Sequence, residues 1–390
     1  MKEIYNNILF LLIGVCVFSS VCSNISIALN APFTVPEVVL LPFLFLRKEK
    51  FRSLKFNRNL FFQYICISIM LICIALLWGI YDIGSIISCA RCYIYIFLGI
   101  CLFDKENSIT STDLMYLCLG SIIGWAVVAY SNLYFLMYEK SDAYITYGMF
   151  MSIPMFIALS LSKKDYKIFI IGIIFLTIVF MFAGIRRVIA VFIMSMLFYA
   201  LLNVIQSPKK LFFIVILFGV LVGVFYMVLP ILEEYIRDIS PYLYYRIFAR
   251  FHGAVGNDMD SSDMTRISNL SLLSTTDIDL LFPHGFNTTR YDTVKGSGVF
   301  NDVPIFSLAW IFGLPLTMVI LFLILIRFLS GYKYYKHYSD PIAIAVLVCV
   351  LCMFCLLFLD GTFLTYVYAA PFTGLCIGKL KLFSQKKYAR

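Results

Sequence analysis

The 390-residue chain is 62% hydrophobic and only 14% charged, with a mean hydropathy of +0.93. That composition excludes an ordinary soluble domain and a disordered chain, and it places the protein in a membrane. The formal net charge of +9 points to a nucleic-acid partner only if the basic residues form a patch, so their distribution along the chain decides the matter.

The N-terminal MKEIYNN leads into an apolar run with no small-residue cleavage site, which reads as a retained first helix, not a removed signal. Apolar runs near the ~20 residues needed to cross the hydrocarbon core then recur along the chain. They predict helices over 6–27, 33–46, 59–79, 85–103, 114–136, 147–161, 168–185, 188–206, 211–232, 304–326, 341–359 and 362–378. The period-two alternation of an outer-membrane barrel is absent. The predicted fold is therefore an all-α polytopic membrane protein of about 12 transmembrane helices. It forms a single integral membrane domain over 1–390, with one long loop over 233–300. An even number of crossings puts both termini on one side.

The connecting segments set the orientation. RKEKFRSLKFNR (47–58) alone has six basic residues, and the segments on its side hold 21 of the 31 Lys and Arg. Short segments on the other side hold only Lys140, Arg186 and Arg187. By the positive-inside rule the basic side, with both termini, is cytoplasmic, so the charge is a topology signal and no nucleic-acid partner is expected. The long loop faces outward. All 12 cysteines fall in predicted membrane segments, and Cys89–Cys92 and Cys349/Cys352/Cys355 read as small packing residues, not as metal ligands.

Arg186 and Arg187, in FAGIRRVIAVF, end the predicted helix 168–185 at the outer lipid–water boundary. They either cap that helix and bind lipid headgroups, or recognise a phosphate or pyrophosphate, which two planar guanidiniums suit. In the long loop, Leu243, Ile247, Phe248 and Phe251 share a helical face beneath Arg246 and Arg250. This is an interfacial amphipathic helix that either anchors the loop or binds lipid phosphate. Asp258, Asp260 and Asp263 lack the glycine and closing glutamate of a calcium loop and read as solvated. MTRISNLSLL begins a helix with Arg266 near its start, and PHGFN and KGSG are glycine turns. Asn301 and Asp302 stand just before the predicted helix 304–326. Asp302 is either its N-cap or a general base, and His284 is either a solvated loop residue or the second candidate base. No Walker, HExxH or GxSxG motif occurs, so any energy source must arrive with the substrate.

An arginine pair ends a mid-chain membrane helix, then come a long outward loop with Arg266, the FPHGF turn, Asn301–Asp302, and Gly313 in the next helix. This order resembles the O-antigen polymerase (Wzy) and O-antigen ligase superfamily of bacterial envelope proteins. The motif match spans only about 182–192 and 264–315. The resemblance implies a GT-C-like ligase/polymerase architecture in the bacterial inner membrane, with the long loop periplasmic. It implies a glycosyltransferase whose donor is a glycan on undecaprenyl pyrophosphate, with no metal and no cofactor. Arg186, Arg187, Arg266, Arg250 and Arg246 would hold the donor pyrophosphate. Asp302 or His284 would serve the acceptor hydroxyl. Lipid-linked oligosaccharides, membrane lipids and a chain-length regulator protein are the implied partners. The ligase branch typically carries a histidine where this chain has Asn301–Asp302, which favours polymerase. O-antigen ligase is the nearest alternative. A lipid-linked oligosaccharide flippase is less favoured, because transporters place charges along a midplane path and here only Arg91 lies well inside a predicted helix. A non-catalytic assembly factor is the remaining reading.

Overall fold

A computed structural model describes residues 2–21, 57–78, 83–104, 109–139, 150–183, 186–204, 278–286, 304–358 and 368–386, with isolated positions between 227 and 244 and at 364. The described residues are all-helical, with no strand. The helices are α1 (Lys2–Val17), α2 (Arg58–Leu77), α3 (Ile83–Phe103), α4 (Ser111–Glu139), α5 (Ser152–Ser162), α6 (Tyr166–Ala183), α7 (Arg186–Val204), α8 (Pro304–Phe312), α9 (Leu314–Tyr338), α10 (Pro341–Leu356) and α11 (Ala370–Lys386). A 3₁₀ turn at Ile278–Leu281 precedes α8. Of these, α2, α4 and α9 are long and apolar enough to cross a membrane, and the remaining apolar helices are shorter. The predicted helix 33–46, and 211–232 apart from positions 227, 230 and 231, lie outside the described residues.

Two kinds of helix appear. α5 and α10 are apolar on every face, and they form the centre: Ile153, Phe156, Ala158, Ile344, Val346 and Cys349 are fully buried. α2 and α9 are also largely apolar but expose Phe62, Met70, Leu77, Met318, Val319 and Phe322 on a side suited to lipid tails.

Lipid tails are as apolar as leucine, so helix pairing in a membrane relies on close packing, and small residues permit it. Two glycine pairs with GxxxG spacing serve here. On α4, an added Cβ at Gly120 would overlap the Leu11 carbonyl oxygen of α1, and one at Gly124 would overlap the Ser19 side chain. On α11, a Cβ at Gly374 would overlap the Ile96 carbonyl oxygen of α3, and one at Gly378 would lie 2.8 Å from the Ile100 oxygen. In both pairs residue numbers rise together, so α1 is parallel to α4 and α11 is parallel to α3.

These contacts define two ends. At one end the start of α2 and the ends of α3 and α11 meet, where the Asp104 carboxylate accepts from Asn57 Nδ2 (2.8 Å) and Lys381 Nζ (3.2 Å). The N-terminus of α4 carries a reciprocal cap, with Thr110 N donating to Asp113 Oδ2 (2.8 Å) and Asp113 N donating to Thr110 Oγ1 (3.2 Å). Lys163 reaches Thr112, Tyr335 bonds Asn203, and Asp340 caps α10 at Ile342 N (2.9 Å). This is the basic end. At the opposite end lie the last residues of α2 and α10 and the first of α3, α7, α9 and α11.

Three expectations change. The run 304–326 is not one helix: it breaks at Gly313, whose φ is +79°, into α8 and α9. The stretch 327–338, expected as a basic connection, continues α9, so Arg327 joins Arg91 within a helix. The last described helix starts at Ala370 and carries the basic residues Lys379, Lys381 and Lys386. Long basic side chains can lie along a helix with their heads in water, so lysines at an end do not stop it.

Candidate functional site

The best-defined feature at the end opposite the basic one is the FPHGF turn, residues 282–286. Its position follows from the break in the helix beside it. The Ile311 carbonyl would normally accept from residue 315, but Pro315 has no N–H. Gly313 has turned the chain, so the Trp310 carbonyl loses its helical donor too. The turn supplies both: His284 N donates to Trp310 O (2.9 Å) and Gly285 N to Ile311 O (3.2 Å). Buried backbone carbonyls must find donors, and here a loop provides them.

Gly285 has φ +68°, and an added Cβ there would overlap the Leu71 carbonyl oxygen and sit 2.8 Å from Ala75 N on α2. Only glycine fits that conformation and approach. On the other side, a Cβ on Gly313 would stand 2.9 Å from Leu281 O.

The His284 ring is 1% exposed and lies between two indoles, with Trp310 at 3.7 Å and 9° and Trp78 at 4.4 Å and 26°. Trp78 Nε1 donates to Pro283 O (3.2 Å). Phe286, fully buried, packs on Tyr93 of α3 at 5.4 Å, and Tyr93 also meets Phe312 edge-on at 5.7 Å. The turn is thus held by α2, α3 and the α8–α9 junction. Of the two readings of His284, a solvated loop residue or a second candidate base, the first fails, because the residue is interior.

Arg186 and Arg187 are the first residues of α7, just after the end of α6 at Ala183. The reason is local: Gly184 ends the preceding run, and valine and alanine follow the arginines without interruption. A helix N-terminus carries partial positive charge and free N–H groups, which disfavour cations and attract anions. Two arginines there suit a bound anion better than they suit the helix alone. Since α7 ends where Asn203 meets Tyr335 at the basic end, its start shares the opposite end with the FPHGF turn.

α8 begins at Pro304, and Ile305 N donates to Leu357 O (3.2 Å) at the end of α10. Asp302, Arg246, Arg250 and Arg266 lie outside the described residues. Near the start of the loop, Arg237 bonds Tyr244 Oη (3.0 Å) and Glu233 (3.2 Å), and Tyr244 Oη bonds Glu233 (3.1 Å). The Tyr244 hydrogen bond raises the Arg237 pKa further, so that guanidinium stays charged.

Of the residues singled out in the sequence, the structure joins His284 and Gly313 in one cluster and sets the arginine pair at the same end. Trp78, Trp310, Tyr93 and Phe286 were not anticipated. The Gly-Leu-Pro at 313–315 was a local signal for the break. Nothing local pairs Trp78 with a turn two hundred residues later. Comparison with protein families, with characterised proteins and with solved structures finds no match to this chain.

Proposed function

We propose that this chain is a surface-polysaccharide polymerase, of the O-antigen type, acting at the outer face of a bacterial inner membrane. One observation supports it above the others: two arginines open α7 at the end of the bundle where the long loop docks and opposite the basic end. The alternation of ends agrees with twelve crossings. α1 leaves the basic end and α2 starts there again, while α7 ends at the basic end and the FPHGF turn lies opposite. A crossing within 22–56 and another within 205–277 would complete that path, as the sequence suggested.

In this reading the donor is a growing glycan on undecaprenyl pyrophosphate. A sugar hydroxyl of a second lipid-linked repeat unit attacks the anomeric carbon. The new glycosidic C–O bond forms as the C–O bond to pyrophosphate breaks, and the pyrophosphate departs on its lipid. Arg186 and Arg187, with Arg266, Arg246 and Arg250 from the loop, neutralise the charge that develops on the leaving group. Asp302 takes the hydroxyl proton. A lipid pyrophosphate sits at the depth where an arginine pair is least costly, because the guanidiniums reach the headgroup layer.

The test is the polysaccharide ladder of cells lacking the gene, complemented with wild type or with Arg186→Ala/Arg187→Ala at matched protein level. The proposal expects core plus one repeat without the gene, a restored ladder with wild type, and none with the double variant. Lipid-linked polymer accumulating without transfer to core would mean a ligase instead. A ladder indifferent to the gene would sink both.

A further inference from the structure

We infer that His284 is a positioning residue, the pin of a Trp78–His284–Trp310 latch that docks the long outward loop onto the bundle at the same end as the start of α7. The inference rests on the polymerase reading for its consequence in glycan transfer, but the docking itself is a property of the fold.

The geometry separates pinning from proton transfer. Both faces of the imidazole are covered by indoles, at 3.7 Å and 4.4 Å, and the residue is 1% exposed. An acceptor sugar needs an approachable nitrogen edge, whereas a pin needs covered faces and a fixed backbone. His284 and Gly285 donate their backbone N–H groups to Trp310 and Ile311, and the Pro283 carbonyl accepts from Trp78. Those three bonds tie the turn to α2 and to the α8–α9 junction. The latch divides the loop. Arg246, Arg250 and Arg266 precede it, and Asn301–Asp302 follow it and lead into α8. Holding the chain at 282–286 therefore shortens the free span of chain on each side of the turn. The break at Gly313 acquires a purpose as well, because it frees the two carbonyls that receive the turn.

The experiment uses the full-length protein in lipid nanodiscs and trypsin, whose sites in the loop include Arg246, Arg250, Arg266, Arg290 and Lys295. His284→Ala is expected to raise the rate of loop cleavage about tenfold or more and to abolish the ladder in cells. His284→Phe keeps a ring between the indoles and cannot move a proton; it is expected to restore slow cleavage and most of the ladder. Trp78→Ala, which removes one wall of the sandwich at a partly exposed site, should behave as His284→Ala and serves if that variant does not accumulate. Wild-type cleavage rates in His284→Ala and Trp78→Ala would overturn the latch. Slow cleavage in His284→Phe with no ladder would also overturn it, since the ring would then act through its nitrogens. If the cleavage rates follow the expectation while the ladder proves indifferent to the gene itself, the polymerase reading fails and the docking stands.

Discussion

The two ends of the bundle solve different problems. At the basic end the polar groups pair with one another: Asp104 Oδ2 joins Asn57 and Lys381, Thr110 and Asp113 cap reciprocally, and Asp340 caps α10. At the opposite end the described contacts are stacked rings and backbone hydrogen bonds around a loop turn, and a helix that opens on two arginines starts at that same end. Charges already paired with one another leave little to offer a ligand, and removing one partner costs stability. An end that places cations against a helix N-terminus keeps electrostatic interaction available for an anion. On this comparison, substitutions at the basic end should change stability and leave glycan transfer alone, and the reverse should hold at the other end.

The arginine pair should give the largest effect. Arg186→Ala/Arg187→Ala is expected to lower glycan transfer in membrane vesicles about a hundredfold or more, as removal of transition-state charge stabilisation typically does, with an unchanged unfolding temperature. Arg186→Lys/Arg187→Lys keeps the charge but not the planar fork and should fall between the double alanine and wild type. Equal activity of lysine and arginine variants would reduce the pair to a headgroup anchor. At the basic end, Asp104→Ala strands Lys381 and Asn57 and should cost about 2 kcal/mol, below the usual figure for a fully buried pair because Lys381 is partly solvated. Thermal unfolding in detergent measures it, and transfer per folded molecule should hold.

Gly285→Ala tests the junction between the two behaviours. Its Cβ has no room beside Leu71, and φ +68° is unfavourable for alanine, so a strain of about 1–3 kcal/mol should push the turn off α2. Faster loop cleavage with a nearly normal unfolding temperature is the expected result. The smallest effect belongs to Tyr335→Phe, which removes one exposed hydrogen bond to Asn203 at the basic end and should cost about 1 kcal/mol or less. A loss of transfer in that variant would contradict the division of labour.

The sequence by itself determined the all-helical class, the approximate placement of the described helices and which ends are basic. These are local properties: an apolar run of a given length must satisfy its backbone internally when it leaves water, and lysines and arginines are retained where translocation is disfavoured. It also singled out Arg186, Arg187 and His284, because polar residues among apolar runs are conspicuous. The break at Gly313 was obscured because hydropathy does not change across it, although Pro315 removes the donor that a continuous helix needs. The extension of α9 to Tyr338 was obscured because charge was read as the end of a helix. Only the tertiary structure decided which glycines allow helices to touch, that two tryptophans from α2 and α8 close on one histidine, and that the carbonyls freed by a broken helix are satisfied by a distant turn. Such choices depend on pairings between residues far apart in the chain, and hydropathy, charge and local spacing carry no term for them.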